Sequence, residues 1–284
     1  MGGAIPARAG ILSGLNASMS PADMTKDGGT GKASVNATGM LNGKPVTWAL
    51  PEEVPVAIHI NSVSYAVMMA TPADLEDFAI GFALSEGLAR RAADITNVLA
   101  FPSGDGFTAD VSIAEDKLVR ERMVARNLEG RVGCGLCGIE DMKDAIRMPV
   151  GTVPKVNLSA GAVSKAHAAL PRFQPMNAVN RTVHAAAWVT GGGDIVLARE
   201  DVGRHNALDK LIGAMARGKL NPQNGFVLMS SRCSFELVQK CALAGIGALA
   251  TVSAPTALAY RLARKAGMQL AALSRDGVMI FDGE

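Results

Sequence analysis

Regular alternation of apolar and polar residues begins near residue 54 and predicts a small α+β part in the first half of the chain. Two strand-like runs, 54–60 and 63–69, are separated by two turn-forming residues and predict a β-hairpin. A helix is expected to begin at an N-cap formed by Thr71 and to end near Ser85, because apolar residues recur there every three and four positions. Two short strands are expected to follow, at 95–101 and 107–113.

The second half of the chain alternates between strand-like and helix-like patterns with short connections. Strands are predicted at 182–189, 195–198, 226–229, 248–252, 268–273 and 279–281. Helices are predicted at 159–170, 204–217, 234–244 and 256–266. This order is typical of an α/β layer built on a mixed, largely parallel sheet.

These patterns divide the chain into three predicted parts. Residues 1–42 are rich in small and polar residues without a sustained period, so we expect a disordered N-terminal extension. Residues 43–148 form the N-terminal α+β part, which ends in a loop at 131–138. Residues 149–284 form the C-terminal α/β domain, because prolines at 149 and 154 interrupt the chain at the boundary.

Composition excludes several classes of protein. An apolar fraction of 49% over 284 residues is enough for a real core. The net charge is only +2, no basic cluster occurs and aromatic residues make up 4%, so nucleic acid is not an expected partner. No apolar run reaches the roughly 20 residues of a membrane helix. Irregularly spaced cysteines and the lack of a secretory signal pattern predict a cytoplasmic protein with free thiols.

A CxxC pair, Cys134 and Cys137, lies in the loop at 131–138 among three glycines. Such a pair can be half of a zinc site, a reversible dithiol, or a nucleophilic thiolate with a resolving thiol. A structural zinc site would need a second close pair of ligands, which the sequence lacks, so we expect no metal. A zinc deaminase would need a glutamate two residues after its histidine, whereas His184 is followed there by Ala186.

Polar residues recur directly after the predicted strands of the second half. They are Arg199, Glu200, Asp201, Arg204, His205, Ser230, Ser231, Arg232, Ser253, Ser274, Arg275 and Asp276. Ligands of open α/β sheets bind beyond the carboxyl ends of the strands. Guanidinium groups together with helix N-termini favour phosphate oxygens, so the sequence predicts an anion site there.

Several of these segments together resemble FdhD, the family of formate dehydrogenase accessory sulfurtransferases. The resemblance rests on Cys134-Gly135-Leu136-Cys137-Gly138, His184-Ala185-Ala186-Ala187-Trp188, the run 200–210, Ser230-Ser231-Arg232 and the run 252–256. It covers the chain from about Val54 to the C-terminus. It implies a cytoplasmic homodimer with a cytidine-deaminase-like three-layer α/β domain and a smaller N-terminal α+β part.

The resemblance also implies a reaction and its partners. Cys134 and Cys137 would accept sulfur as a persulfide from a cysteine desulfurase and pass it to the molybdenum or tungsten bis(molybdopterin guanine dinucleotide) cofactor of formate dehydrogenase. GDP or GTP would then mimic the ends of the bound cofactor. Together with the strand-end argument, it predicts as cofactor-binding residues Leu273, Ser274, Arg275, Asp276, Gly277, Val278, His184, Arg199, Asp201, Arg204, His205, Ser231 and Arg232.

This chain departs from the family pattern at two places, Asn180-Arg181-Thr182-Val183 in place of a Thr-Gly pair and Val278 in place of an arginine. An alternative function is a chaperone that binds and delivers the cofactor while the CxxC pair acts as a redox or metal clasp. A zinc hydrolase related to deaminases is a third alternative.

Overall fold

The computed structural model describes residues 31–123, 146, 148–149 and 151–281. The N-terminal elements are β1 Ser34–Leu41, β2 Lys44–Pro51, β3 Val54–Ile60, β4 Val63–Ala70, α1 Leu75–Ser85, β5 Ile95–Ser103 and β6 Gly106–Ile113. Strands β3 to β6 form a four-stranded sheet in the order β4-β3-β6-β5. The predicted hairpin is confirmed as the antiparallel pair β3–β4.

Two predictions for this part are wrong. Residues 34–41, assigned to a disordered extension, form β1, which pairs along its whole length with β2. Helix α1 begins at Leu75 behind Asp74, and Thr71 is not its N-cap. The polar groups of Thr71 contact a different segment, since its amide donates to Asp201 and its hydroxyl accepts from the amide of Val202.

The C-terminal elements follow the predicted order. They are α2 Ala160–Ala169, α3 Pro175–Asn180, β7 His184–Thr190, β8 Ile195–Asp201, α4 Arg204–Arg217, β9 Gly225–Met229, α5 Phe235–Leu243, β10 Ala248–Thr251, α6 Ala257–Ala266, β11 Gln269–Ser274 and β12 Gly277–Phe281. Of the elements just named, only the short helix α3 was not predicted from the sequence. The six strands form one sheet in the order β12-β11-β10-β9-β7-β8.

The six-stranded sheet is mixed, as predicted, but fewer of its neighbouring strands are parallel than the expected largely parallel sheet would have. Strands β8, β9, β10 and β11 run in one direction, and β7 and β12 run in the other. Within this sheet, the described parallel neighbours are the pairs β9–β10 and β10–β11 only. The connections β7–β8 and β11–β12 are too short for a parallel crossover, which needs a dozen or more residues, so these strands pair antiparallel.

Helices cover both faces of this sheet. Buried side chains of α4, α5 and α6 pack on one face, against residues such as Trp188 and Met229. Side chains of α2 pack on the other face, around Phe226 and Leu228. The C-terminal half is therefore a three-layer α/β/α arrangement, whereas likeness to cytidine deaminase in particular remains an expectation.

Helices α1 and α4 join the two sheets into one hydrophobic core. The larger core cluster includes residues of both parts, from Val56 on β3 to Leu270 on β11. The two helices approach so closely that a Cβ at Gly81 would lie 1.7 Å from the carbonyl oxygen of Asp209, and one at Gly213 would lie 1.8 Å from that of Asp77. Glycine is therefore required on both helices. The sheets lie on either side of residue 149 in the sequence, but the predicted domain boundaries stay a prediction.

Candidate functional site

The carboxyl ends of β8, β9, β10 and β11 lie at one edge of the sheet, together with the start of β7. We call this edge the strand-end rim and define it as His184 and the segments 201–206, 230–234, 253–256 and 274–277. Neighbouring strands are spaced by about 4.8 Å, so the rim from β8 to β11 is about 19 Å long. That length suits an extended ligand better than a small ion.

Three arginines of the rim have guanidinium groups that make no ion pair with any residue the structure describes. They are Arg204, which is half-buried, and Arg232 and Arg275, which are exposed. A guanidinium group without an internal carboxylate can donate two parallel hydrogen bonds to a phosphate. The predicted anion rim thus has cations available along its length.

Two helix N-termini at the rim also lack side-chain caps. Helix α4 begins after Gly203 and α5 after Ser234, and neither residue makes a side-chain cap hydrogen bond. By contrast, the hydroxyl of Thr256 accepts from the amide of Ala259 and caps α6. Uncapped amide groups at the positive end of a helix favour an anion, so the starts of α4 and α5 add to the arginines.

Asp201 has a structural role that its assignment as a cofactor ligand did not anticipate. Its carboxylate is fully buried and lies 2.7 Å from the Nζ atom of Lys210. It also accepts hydrogen bonds from the amides of Thr71 and Gly203 and from the side chain of Asn206. These contacts fix the loop between β8 and α4, so its lone pairs are already used inside the protein.

Arg199 is likewise held inside the molecule. Its Nε and Nη2 atoms donate to one carboxylate oxygen of Asp77 on α1, at 2.9 and 2.8 Å. Asp74 lies 3.4 Å from the same guanidinium group. The predicted contact of Arg199 with a cofactor is therefore not supported, because this arginine links strand β8 to helix α1.

Two histidines, His184 and His205, lie near enough to Arg204 for its charge to act on both. Burial is the main cause that lowers the pKa of His184, and the charge of Arg204 lowers it further while Asp201 opposes this. Burial also lowers the pKa of His205 to about 3, with further contributions from Arg204 and Lys240. Both imidazoles are therefore neutral near pH 7 and can offer a hydrogen-bond donor and an acceptor, but not a charge.

One ring nitrogen of His205, Nε2, makes no hydrogen bond with any described residue. Its Nε2 atom lies 3.9 Å from the Oε2 atom of Glu236, which is too far for a hydrogen bond. These two atoms and the hydroxyl of Ser234 are buried without a hydrogen-bond partner among the described residues. The start of α5 therefore contains a buried polar cluster next to the rim.

We expect His205 to make the stability of the protein depend on pH. An unfolded histidine takes up a proton near pH 6.5, whereas the folded one stays neutral down to about pH 3, so the free energy of unfolding falls as the pH drops below 6.5. Between about pH 7.5 and about pH 5 the loss is about 2 kcal/mol. Urea unfolding at both pH values measures this loss of stability, and the substitution His205→Asn should abolish the loss. Equal pH dependence in the two proteins would contradict this assignment.

The predicted nucleotide segment 273–278 forms the turn between β11 and β12. Leu273 faces Val278 across the hairpin, and both side chains pack against the smaller core cluster. The hydroxyl of Ser274 donates to the carbonyl of Gly277, whose φ of 130° favours glycine. Arg275 and Asp276 remain exposed at the tip. Within this segment, those two side chains are the ones available to a ligand.

The serines after β9 mainly organise the backbone. The hydroxyl of Ser230 accepts from the amide of Ala185, which joins β9 to β7 at the rim. The hydroxyl of Ser231 donates to the carbonyl of Arg232. Arg232 is thereby presented from a fixed turn.

A groove of about 580 Å³ adjoins the rim, and the sequence analysis had singled out only His184 and Ser230 among its described residues as candidate ligand contacts. The others lie on α2, on α3 and its flanking turns, and at the end of β10, and they include His167, Gln174, Asn177, Arg181 and Val252. The departure from the family pattern at 180–183 was a signal in the sequence, since Arg181, Thr182 and Val183 line the groove.

Cys134 and Cys137 lie outside the described residues, so their roles stay predictions. The other two cysteines are buried in the core. Burial raises the pKa of Cys233 to about 12 and also raises that of Cys241, so neither is a reactive thiolate near neutral pH. Of the four cysteines of the chain, Cys134 and Cys137 therefore remain the candidates for a reactive thiol.

Within the described part of the chain, no group of three or more His, Cys, Asp or Glu side chains could hold a metal ion. None of the helices described there is long and apolar enough to cross a membrane.

Comparisons with known proteins agree with one another. A model of the FdhD/NarQ family matches residues 51–283. Two relatives named "Sulfur carrier protein FdhD" are each 45% identical to this chain. The one from Bordetella petrii aligns over 79% of this chain and 81% of its own length, and the one from Chromobacterium violaceum over 91% and 96%. A crystal structure from Desulfotalea psychrophila, of a protein assigned as a formate dehydrogenase accessory protein, has a TM-score of 0.69 at 24% identity, covering 88% of this chain and 97% of that one.

Proposed function

Because this chain belongs to the FdhD/NarQ family, we propose that it is a sulfurtransferase that loads sulfur onto a molybdenum or tungsten cofactor. The cofactor is the bis(molybdopterin guanine dinucleotide) form that formate dehydrogenase uses. The observation that carries the proposal is the family match, which spans the CxxC pair and joins this chain to relatives named as sulfur carriers. The protein acts in the cytoplasm, where thiols stay reduced, and it works as a homodimer.

The first step is the formation of a persulfide on Cys134. Its thiolate attacks the terminal sulfur of the persulfide on a cysteine desulfurase. The new bond joins Cys134 to that sulfur, the donor's sulfur–sulfur bond breaks, and the donor cysteine leaves as a thiolate. No net oxidation occurs in this exchange. A nucleophilic thiolate is needed, and Cys134 and Cys137 supply the candidates that the buried Cys233 and Cys241 do not.

The second step delivers the sulfur to the metal. Once the cofactor is bound, the thiolate of Cys137 attacks the inner sulfur of the Cys134 persulfide, so that a Cys134–Cys137 disulfide forms and hydrosulfide leaves. The two electrons that reduce the sulfur come from the pair of thiols, and a cellular dithiol reductant later restores them. Hydrosulfide then replaces an oxygen ligand of the metal, and that oxygen leaves as hydroxide.

The strand-end rim is the surface proposed to hold the cofactor during this transfer. Arg204, Arg232 and Arg275 offer guanidinium groups with no ion-pair partner in the described chain, and α4 and α5 offer uncapped N-termini. Phosphate groups of the dinucleotide ends suit both features. The rim's length of about 19 Å gives room for an extended substrate along it.

Replacing Arg275 with alanine should weaken the binding of GDP, used as a mimic of one end of the cofactor. Loss of one charge-assisted hydrogen bond costs about 1.5 to 3 kcal/mol. Titration calorimetry measures the change, and Arg261→Ala, which removes an exposed arginine of α6, is the matched control. Unchanged affinity in the Arg275 variant would remove this side chain from the site.

Reconstitution tests the function as a whole. Formate dehydrogenase that lacks sulfur on its cofactor is mixed with this protein, a cysteine desulfurase and cysteine. We expect formate oxidation to appear only when all components are present. If activity appears equally when this protein carries alanine at both Cys134 and Cys137, the protein delivers cofactor without transferring sulfur.

A further inference from the structure

The groove beside His184 lies between the α2–α3 layer and the strand-end rim. His184, Ser230 and Val252 form its border with the rim, and residues of α2 and α3 and of their connection form the opposite wall. Its volume of about 580 Å³ falls within the range of pockets that bind small molecules. It is not part of the segment 273–278 that the sequence assigned to the nucleotide.

The inner part of the groove is polar but carries no ionised side chain. Gln174 is buried, with 6% of its surface exposed, and its side-chain amide makes no hydrogen bond with any residue the structure describes. His184 is half-buried, and burial lowers its pKa. No Asp or Glu is among the described residues that line the groove. The wall therefore offers neutral hydrogen-bond donors and acceptors. These groups do not compensate an anion or a cation for the loss of its hydration.

The mouth of the groove is different because it carries a cation. Arg181 is exposed there, and its guanidinium group makes no ion pair with a described residue. Its backbone is held in place, since its amide donates to the carbonyl of Asn177 at 2.9 Å and its φ is 57°. One end of the groove thus suits a neutral polar ring, and the other end suits a phosphate.

We propose that this groove binds a planar heterocycle joined to a phosphate, with the ring against Gln174, Asn177 and His184 and the phosphate at Arg181. Amide and imidazole groups can match a ring that presents both donors and acceptors, as purines and pterins do. A phosphate at the mouth stays close to water, where a single arginine is sufficient to bind it.

The groove is a second subsite, separate from Arg275. Strand β7, which begins at His184, is three strand spacings from β11, or about 14 Å. None of the residues 273–278 is among the described residues that line the groove, although Val252 at the end of β10 brings its border within one strand spacing of β11. The inference rests on the proposed function for its biological ligand, because the cofactor contains both guanine nucleotides and pterins with phosphates.

The test uses the full chain carrying Arg275→Ala, so that any site at the β11–β12 turn is weakened. GMP, guanosine, a pterin monophosphate and inorganic phosphate are titrated by calorimetry. We expect GMP or the pterin phosphate to bind, and the tighter of the two tells which part of the cofactor lies in the groove. Inorganic phosphate should bind at least tenfold more weakly. If neither ring compound binds, or if phosphate alone binds as well as both, the proposal is wrong.

Two variants and one control locate the binding. Arg181→Asn keeps a residue that tolerates a positive φ and should weaken GMP binding at least tenfold while leaving guanosine unchanged. Gln174→Leu should weaken both ligands. Arg172→Asn removes a nearby exposed arginine outside the groove and should change neither. Equal GMP affinity in the Arg181→Asn and Gln174→Leu proteins and their parent would overturn the proposal.

Persulfide formation on Cys134 separates this inference from the proposed function. It needs no nucleotide, so the Arg181→Asn protein should accept sulfur as the wild-type protein does. Loss of GMP binding with normal persulfide formation supports the groove. A wild-type protein that never forms a persulfide defeats the sulfur-transfer function but leaves the ligand titrations valid.

Discussion

Replacing Gly213 with alanine is expected to lower the free energy of unfolding by about 3 kcal/mol or more. The new Cβ would lie 1.8 Å from the carbonyl oxygen of Asp77, and contacts of this kind do not occur below about 3 Å. The obstacle is backbone on the facing helix, so no side-chain rotation can relieve the overlap. Helices α1 and α4 would have to separate, and the contacts of Arg199 and Arg217 with Asp77 would stretch with them.

Urea unfolding measures this loss, and the chain contains a matched control. Gly161 also lies in a helix, α2, but a Cβ there would meet nothing within 4 Å. Gly161→Ala should leave the stability unchanged or raise it by up to about 1 kcal/mol, since alanine favours helix. Equal changes of stability in the two variants would contradict the close packing of α1 against α4.

Local pattern was sufficient for most elements of the fold. Helix α4 has the predicted bounds of 204–217, because its apolar residues recur at helical spacing along one face. Strands β3, β6 and β9 and helices α2, α5 and α6 agree with their predicted ranges to within two residues. Each of these signals depends only on neighbours in the sequence.

Contacts between distant segments could not be predicted in this way. Arg199 was assigned to a cofactor because it follows a strand, but its partner Asp77 is 122 residues away. Nothing near Arg199 in the sequence indicates that carboxylate. The same limit applies to the groove, whose lining residues belong to α2, α3 and three strands or their ends. The residues that line the groove come together only when the sheet is assembled.

The strand-end rim is an intermediate case. The rule that ligands bind at the carboxyl ends of strands predicted its position, and four strands of common direction do end there. The rule could not tell which polar side chains remain available. Asp201 is buried against Lys210, whereas Arg232 and Arg275 are exposed.

Cys134→Ala is expected to abolish persulfide formation and the activation of formate dehydrogenase. The substitution removes the sulfur atom that must attack the donor, and the two cysteines seen in the core are too deeply buried to replace it. Folding and GDP binding should be preserved, because Cys134 lies in a sequence of glycines outside the predicted strands and helices. Activity after reconstitution measures the first effect, and calorimetry with GDP checks the second.

Cys137→Ala provides the comparison for that experiment. This protein should still accept sulfur on Cys134 and should lose less activity, since a small thiol in solution can release the sulfur in place of Cys137. Equal loss in both variants would mean that the two thiols act as one unit. Full activity of the Cys134→Ala protein would show that the assigned nucleophile is wrong.

The central claim, that this protein carries sulfur on Cys134, is tested most directly by the mass of the intact protein after incubation with a cysteine desulfurase and cysteine. We predict a gain of one sulfur atom, which peptide mapping places on Cys134 and which a thiol reductant removes. An unchanged mass, or added sulfur found only on Cys137, Cys233 or Cys241, would contradict the account.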